Sequence, residues 1–303
     1  MNTPPRIAPG QTIGVCAPAG PVDPERLRHG LDRLAQTFHV RVAPSLTAPR
    51  EPDIPAYLSA SDATRARELA DLLADPEVRA IVVARGGYGA MRILPALDPT
   101  PLVADPKPIV GFSDVTAVLA WAYAAGVRGI HGPMVAQLGD LPDADTALLV
   151  QMLTTPHAIG ARPWPLTVAR GRGVIRGPLV AANLTLASVL AHTPWPLPLA
   201  HAVALFEEVG EHPYEVDRYV TQLHLVGALA QTRAVIAGDF TPTRSAADCP
   251  DARQTMVDRL FPLPVAVGAP IGHGSRNEAV PFGAACTLDL DNATFSIDEP
   301  AVA

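Results

Sequence analysis

The first half of the chain alternates short, strongly apolar runs with stretches of helical period, and this alternation limits the fold more than any other feature. The apolar runs are "TIGVCAPAG" from residue 12, "VRVAP", "VRAIVVARGG", "PIVGF" and "VRGIHGP". Between them lie "PERLRHGLDRLAQTF", with Leu27, Leu31, Leu34 and Phe38 at helical spacing, and "DATRARELADLLADP", with Asp62 as its expected N-cap. "YGAMRILPAL" and "VTAVLAWAYAAG" follow, the latter closed by Gly126. Strands that are apolar on both faces and separated by helices belong in a parallel sheet covered on both sides.

Near residues 155–172 the pattern gives way to "TTPHAIGARPWPLTVARGRG", rich in Pro and Gly and without period. Shorter runs follow, "AVALFEEV", "RAVIAGDF" and "PVAVGAP", and then "ACTLDLDNATFSID", which alternates with period two. The expected layout is α/β: an N-terminal Rossmann-like parallel-sheet domain over 1–155, a linker over 156–172, and a smaller mixed α+β domain over 173–303. A chain of 303 residues has ample material for both.

Composition narrows the function classes. With 48% apolar and 17% charged residues the chain is that of a globular protein, and no uninterrupted apolar run reaches the length of a membrane span. The opening "MNTPPRIAPGQ" lacks the apolar stretch of a signal peptide, so a cytoplasmic location is expected. Net charge is −7 without a basic stripe, which argues against a nucleic-acid partner. Cys16, Cys249 and Cys286 are scattered and odd in number, so packed, reduced thiols are expected and a metal site is not.

Ligands of open α/β sheets bind at the carboxyl ends of the strands. Three features fall there: "APAG", "RGGYG" and "GFSD". In "GFSD", Ser113 sits where a strand turns into a helix, either as a nucleophile whose oxyanion is met by the helix N–H groups from Asp114 on, or as an ordinary cap. Gly86 and Gly87 allow close backbone approach, as an oxyanion donor, a phosphate cradle or merely a tight turn. Glu207 and Glu208 end an apolar run and fit solvated acids as well as functional ones. His273 lies between two glycines in a loop, a place where a histidine commonly has no role.

The co-occurrence of these segments carries more than any one of them. "ARGGYGAMRIL", "IVGFSDVTAVL", "FEEVGEHPYEVDRYVTQL" and "GHGSRNEAVPFG", in this order, resemble the LD-carboxypeptidase family of serine peptidases, which includes murein tetrapeptide carboxypeptidases and microcin C immunity peptidases. The resemblance runs from "IGVCAPAGPV" to "PFGAACTLDLD", nearly the whole chain. It implies a Ser–His–Glu triad of Ser113, His273 and Glu207, with oxyanion donors at the Asp114 amide and the Gly86–Gly87 pair, and no metal or cofactor. Glu208 stands where relatives more often have Asp, which leaves the choice between the two glutamates open. Ala181 and Ala182 replace a glycine pair common in relatives, a change expected to narrow the substrate pocket.

The implied reaction is hydrolysis of an amide between an L-centre and a terminal D-residue, releasing D-alanine from a murein tetrapeptide. The implied partner is a small peptide, and a homodimer is an expectation of the family. Arg85, Arg92 and Arg276 are the candidates for gripping the terminal carboxylate. Three alternatives stand beside this reading. One is an immunity-type peptidase acting on an aminoacyl-nucleotide, for which no stacking aromatic is evident in the sequence. Another is a peptide-binding protein without catalysis. The third, a Rossmann-type nucleotide enzyme, lacks its glycine fingerprint.

Overall fold

The computed structural model describes residues 1–50, 52–242 and 251–303. Two compact units divide the chain: residues 1–157 with 301–303, and residues 158–300.

In the first unit, strands β1 (Thr12–Cys16), β2 (His39–Val42), β3 (Val78–Val83), β4 (Ile109–Gly111) and β5 (Ile130–His131) run parallel in the order β5–β4–β3–β1–β2. The central strands are buried almost throughout, as continuous apolar runs require when helices cover both faces. From β1 the order steps outward to β2 and then reverses to β3. The crevice at that switch point opens between the loops that follow β1 and β3. Those loops are "APAG" and "RGGYG", and they are stitched together: the Gly20 N–H donates to the Gly86 carbonyl at 2.9 Å.

Helix Asp62–Ala74 packs Ala66, Leu69, Leu72 and Leu73 inward. Its N-cap is Ser61, whose hydroxyl accepts from the Thr64 N–H at 3.2 Å, and not Asp62 as expected from the sequence. The Asp62 carboxylate is engaged instead by Arg65 and Arg92. The helix Thr116–Ala124 ends where expected, with Gly126 at φ +86°.

The second unit holds an eight-stranded mixed sheet. Strands β6 (Gly160–Arg162), β7 (Thr167–Arg170), β8 (Val174–Asn183), β9 (Val203–Val209), β10 (Ala234–Thr241) and β11 (Val265–Val267) are joined by a hairpin of Ala285–Asp289 and Thr294–Ile297. At its centre β8, β9, β10 and β11 are parallel. The hairpin carries the period-two pattern read from the sequence, with Cys286, Leu288, Phe295 and Ile297 inward.

The segment expected as a linker is part of this sheet. β6 pairs antiparallel with Thr294–Ile297, and β7 with β11. Both are edge strands, where neighbouring Pro and Gly are tolerated, so the composition conceals them. Between them Trp164 stacks on Phe295, with ring centroids 4.5 Å apart. Its indole N–H donates to the buried Glu278 carboxylate at 2.8 Å, and Arg162 and Arg276 donate to the same group.

Cys16 and Cys286 are buried free thiols. Burial, with some help from Glu68, pushes the Cys16 thiol up to about 12, and burial likewise raises Cys286. Both are therefore inert packing groups. Cys249 lies outside the described residues. Among those residues no helix is long and apolar enough to cross a membrane.

Glu278 gives the first test. Glu278→Ala leaves Arg162 half of a broken buried pair and strands the Trp164 N–H. Such losses cost about 3–5 kcal/mol, so a large drop in the urea midpoint is expected. Glu278→Gln, which keeps the acceptor oxygen for the indole, should lose clearly less.

Candidate active site

The Ser113 turn is built by conflict between a strand and the helix that follows it. Phe112 is still extended, Ser113 takes φ +59°, and Ser113–Val115 form one 3-10 turn before the helix Thr116–Ala124 begins. A non-glycine residue in the left-handed region is uncommon and costs about 1–3 kcal/mol. Ser113 is not the cap of that helix: Phe112 starts the turn and Val115 the helix. A hydroxyl on a sharp strand-to-helix bend is the arrangement found at the nucleophile of many hydrolases.

The glycine loop lies against this hydroxyl. A Cβ placed on Gly86 would fall 3.1 Å from Ser113 Cβ and 3.2 Å from Ser113 Oγ. Gly87 and Gly89 adopt φ +107° and +118°, values open to glycine and strained for any other residue. Asp114 is buried and turns its carboxylate back to accept the Ala90 N–H at 2.8 Å, tying the Ser113 turn to the end of the glycine loop. Burial pushes its pKa up to about 6, against the opposing pull of the Ala90 N–H and the Arg65 charge.

In the second unit the carboxyl ends of the parallel strands gather a second set of groups. Glu207, fully buried near the end of β9, sits 2.6 Å from Nδ1 of His273 in the loop after β11. With the carboxylate ionised, Nδ1 carries the proton and Nε2 the lone pair. Glu208 has another partner set: Asn183 Nδ2, the Val209 N–H, and both the N–H and hydroxyl of Thr185, all within 2.9 Å. Burial and then the neighbouring Glu207 charge raise its pKa, while those donors pull it down. The imidazole therefore pairs with Glu207, and Glu208 holds the end of β8.

His273 is squeezed into place. A Cβ on Gly272 would lie 2.9 Å from Asp239 Cβ and 3.1 Å from Glu207 Cβ, and one on Gly274 would lie 2.5 Å from Asp239 Oδ2. Only glycines let this loop pass between the ends of β9 and β10. Burial acts to lower the His273 pKa, but the Glu207 hydrogen bond and the charges of Glu207, Glu208 and Asp239 outweigh it, and the net shift is upward.

Of the three arginine candidates, Arg92 is paired with Asp62 at 2.8 Å and Arg276 with Glu278 at 2.9 Å. Arg85 donates to the Pro21 carbonyl at 2.8 Å and forms no ion pair among the described residues. Ala181 and Ala182 are fully buried in β8, so their methyls fill the sheet interior and do not narrow a solvent-filled pocket, contrary to expectation. The sequence reading missed Asp239, and it missed an exposed edge-to-face pair of Tyr57 and Tyr88, 5.7 Å apart, at the glycine loop.

A carboxylate-held imidazole and a hydroxyl on a strained bend are the parts of serine hydrolases, and similarity to known proteins narrows the class to the serine carboxypeptidases. The chain belongs to the LD-carboxypeptidase family, matching its N-terminal domain over residues 13–132 and its C-terminal domain over residues 176–288. It is 38% identical to a Streptomyces coelicolor protein named "Putative carboxypeptidase", over 99% of this chain and 97% of that one. The solved muramoyltetrapeptide carboxypeptidase of Oxalobacter formigenes is 25% identical, covers 96% of this chain and all of its own, and gives a TM-score of 0.80. The microcin C7 self-immunity protein of Escherichia coli is 25% identical over 97% of this chain and 94% of its own. A solved structure of a protein of that name gives a TM-score of 0.89 over 99% of each chain at 22% identity, a likeness of fold alone.

Two measurements follow from the electrostatics. In an NMR titration the His273 ring should titrate above the ordinary histidine value of about 6.5. Glu207→Gln should lower that pKa and Asp239→Asn should lower it by less; unchanged titration in both variants rejects the assignment of cause. For Asp114, a folded pKa above the unfolded one means its stabilising contribution is complete below about pH 4 and lost as pH rises through about 6. Asp114→Asn should therefore gain on the parent in unfolding free energy from urea titrations between pH 4 and pH 8, by up to about 3 kcal/mol.

Proposed function

We propose that this chain is an L,D-carboxypeptidase that removes the terminal D-alanine of murein tetrapeptides through an acyl-enzyme. In this reading His273 Nε2 takes the proton of Ser113 Oγ as the oxygen attacks the scissile carbonyl. The same imidazolium then returns the proton to the leaving amine, and a water repeats the sequence to free the enzyme. Glu207 fixes the ring tautomer and stabilises the imidazolium. The amides of Asp114 and of the Gly86–Gly87 pair meet the oxyanion, where losing one donor costs on the order of 3 kcal/mol. Arg85 is the group we assign to the terminal carboxylate of the substrate, because it forms no ion pair among the described residues.

The observation that supports this reading most directly is the 2.6 Å contact between the buried Glu207 carboxylate and His273 Nδ1. Burying a carboxylate is costly, and a protein that only binds peptides gains nothing from aiming it at an imidazole. The substrate class rests on the family and on the muramoyltetrapeptide carboxypeptidase to which the chain is similar. A cytoplasmic, homodimeric enzyme acting in cell-wall recycling fits this reading.

One observation favours a second reading. The exposed Tyr57–Tyr88 pair offers aromatic surface at the glycine loop, which suits the base of an aminoacyl-nucleotide such as an immunity-type peptidase would cleave. Competition between a murein tetrapeptide and a non-hydrolysable aminoacyl-nucleotide separates the two.

The direct test is D-alanine release from purified tetrapeptide. Ser113→Ala should lower kcat by at least about 10³-fold while leaving peptide affinity near that of the parent. Parental turnover by that variant would refute the nucleophile assignment.

A further inference from the structure

The helix Asp62–Ala74 turns Arg65 inward, on the same stripe as Ala66, Leu69, Leu72 and Leu73. Its guanidinium is almost wholly buried, and an arginine in such a place has to be explained by what it bonds. Nε donates to the Ala60 carbonyl at 3.2 Å, and Nη1 to the carbonyls of Pro18 and Gly89, the latter at 2.9 Å. Nη2 pairs with the Asp62 carboxylate. The three carbonyls belong to three different loops: the one after β1, the one leading into this helix, and the glycine loop after β3.

The Gly89 contact has a further property. The Gly89 carbonyl and the Ala90 N–H are the two ends of a single peptide group. Arg65 bonds the oxygen at 2.9 Å, and the Asp114 carboxylate bonds the N–H at 2.8 Å. That peptide is clamped between a cation and an anion, each strengthening the other's hydrogen bond through the amide dipole. On the far side of the clamp, Asp114 adjoins Ser113. A Cβ on Gly89 would fall 2.9 Å from Arg65 Nη1, so the guanidinium fills the space where any other residue would put its side chain.

We propose that Arg65 is a positioning residue for acyl transfer: through the Gly89–Ala90 peptide and Asp114 it sets the glycine loop against the Ser113 hydroxyl. The proposal rests on the nucleophile and oxyanion roles given above. Arg65 is almost wholly buried, and its hydrogen bonds go to loop carbonyls and Asp62. It acts by fixing where the Gly86–Gly87 amides stand, and a misplacement of about 1 Å at such a site costs about 10²-fold in rate. Lysine cannot replace it, because a single ammonium on a flexible stem does not match three carbonyls and a carboxylate at once.

The test uses the full chain with R65K, which keeps the charge, and R65Q, which keeps two donors. Fold is gauged by circular dichroism and urea midpoint, and D-alanine release is measured on the murein tetrapeptide. The expected result is a fall in kcat of roughly 10- to 100-fold in both variants, with KM within about threefold of the parent. The Asp114 carboxylate, followed by NMR, should titrate higher in R65Q than in the parent, since the nearby cation is gone. Folded variants with parental kcat and an unmoved Asp114 titration overturn the proposal. So does failure of both variants to fold, which would make Arg65 a stability residue only. If the parent itself releases no D-alanine, the proposed function fails; an Asp114 titration unmoved in R65Q would then overturn the clamp separately, because that measurement needs no turnover.

Discussion

A parallel sheet sheathed on both faces has almost nowhere to keep a polar group except at the ends of its strands. β1, β3 and β4 are buried along nearly their whole length, and β9 is buried up to its last residue. Backbone hydrogen bonding satisfies the strands themselves, so unusual chemistry collects where each strand stops and its loop begins. In the first unit that edge carries "APAG", the glycine loop and the Ser113 bend. In the second it carries Asn183, Glu207, Glu208, Asp239 and, after β11, His273. Each unit obeys the same constraint independently.

Burial then decides what each polar group does. Glu207 and Glu208 are adjacent on one strand, where successive side chains point to opposite faces. Glu208 meets Asn183 and Thr185 and is satisfied by four donors, so it is a fastener. Glu207 meets an imidazole, and that contact, with Asp239 nearby, raises the His273 pKa against the opposing effect of burial. A ring held this way keeps one tautomer and a fixed orientation, as a general base requires. In the first unit the same economy recurs: the Asp114 carboxylate and the Arg65 guanidinium grip opposite ends of the Gly89–Ala90 peptide and so fix the end of the glycine loop.

The glycines of these loops are best understood through what crowds them. Gly86 faces the Ser113 side chain, Gly89 faces Leu58 and Arg65, and Gly272 and Gly274 face Asp239. In each case a methyl group would displace a functional or anchoring atom. These residues are places where backbone has replaced side chain so that a loop can lie against its neighbours.

Much of this was legible in the chain itself. Periodicity placed the parallel strands and their helices, because burial on both faces leaves a continuous apolar run that can be read without a structure. Glycine pairs and a Ser-Asp step at predicted strand ends marked the loops that matter, and four motifs in order pointed to the family. Other features were hidden. The edge strands Gly160–Arg162 and Thr167–Arg170 sit amid Pro and Gly and resemble a linker, since edge pairing needs little sequence of its own. Arg65 left one faint sign, a cation on the apolar stripe of its helix. Sequence by itself determined which residues could do chemistry and at which strand ends they stand, since period and turn residues are local properties. Only the tertiary structure decided that Glu207 and not Glu208 meets the imidazole, and that Asp114 and Arg65 share a peptide. Those are contacts across long stretches of chain, fixed by packing and absent from any local pattern.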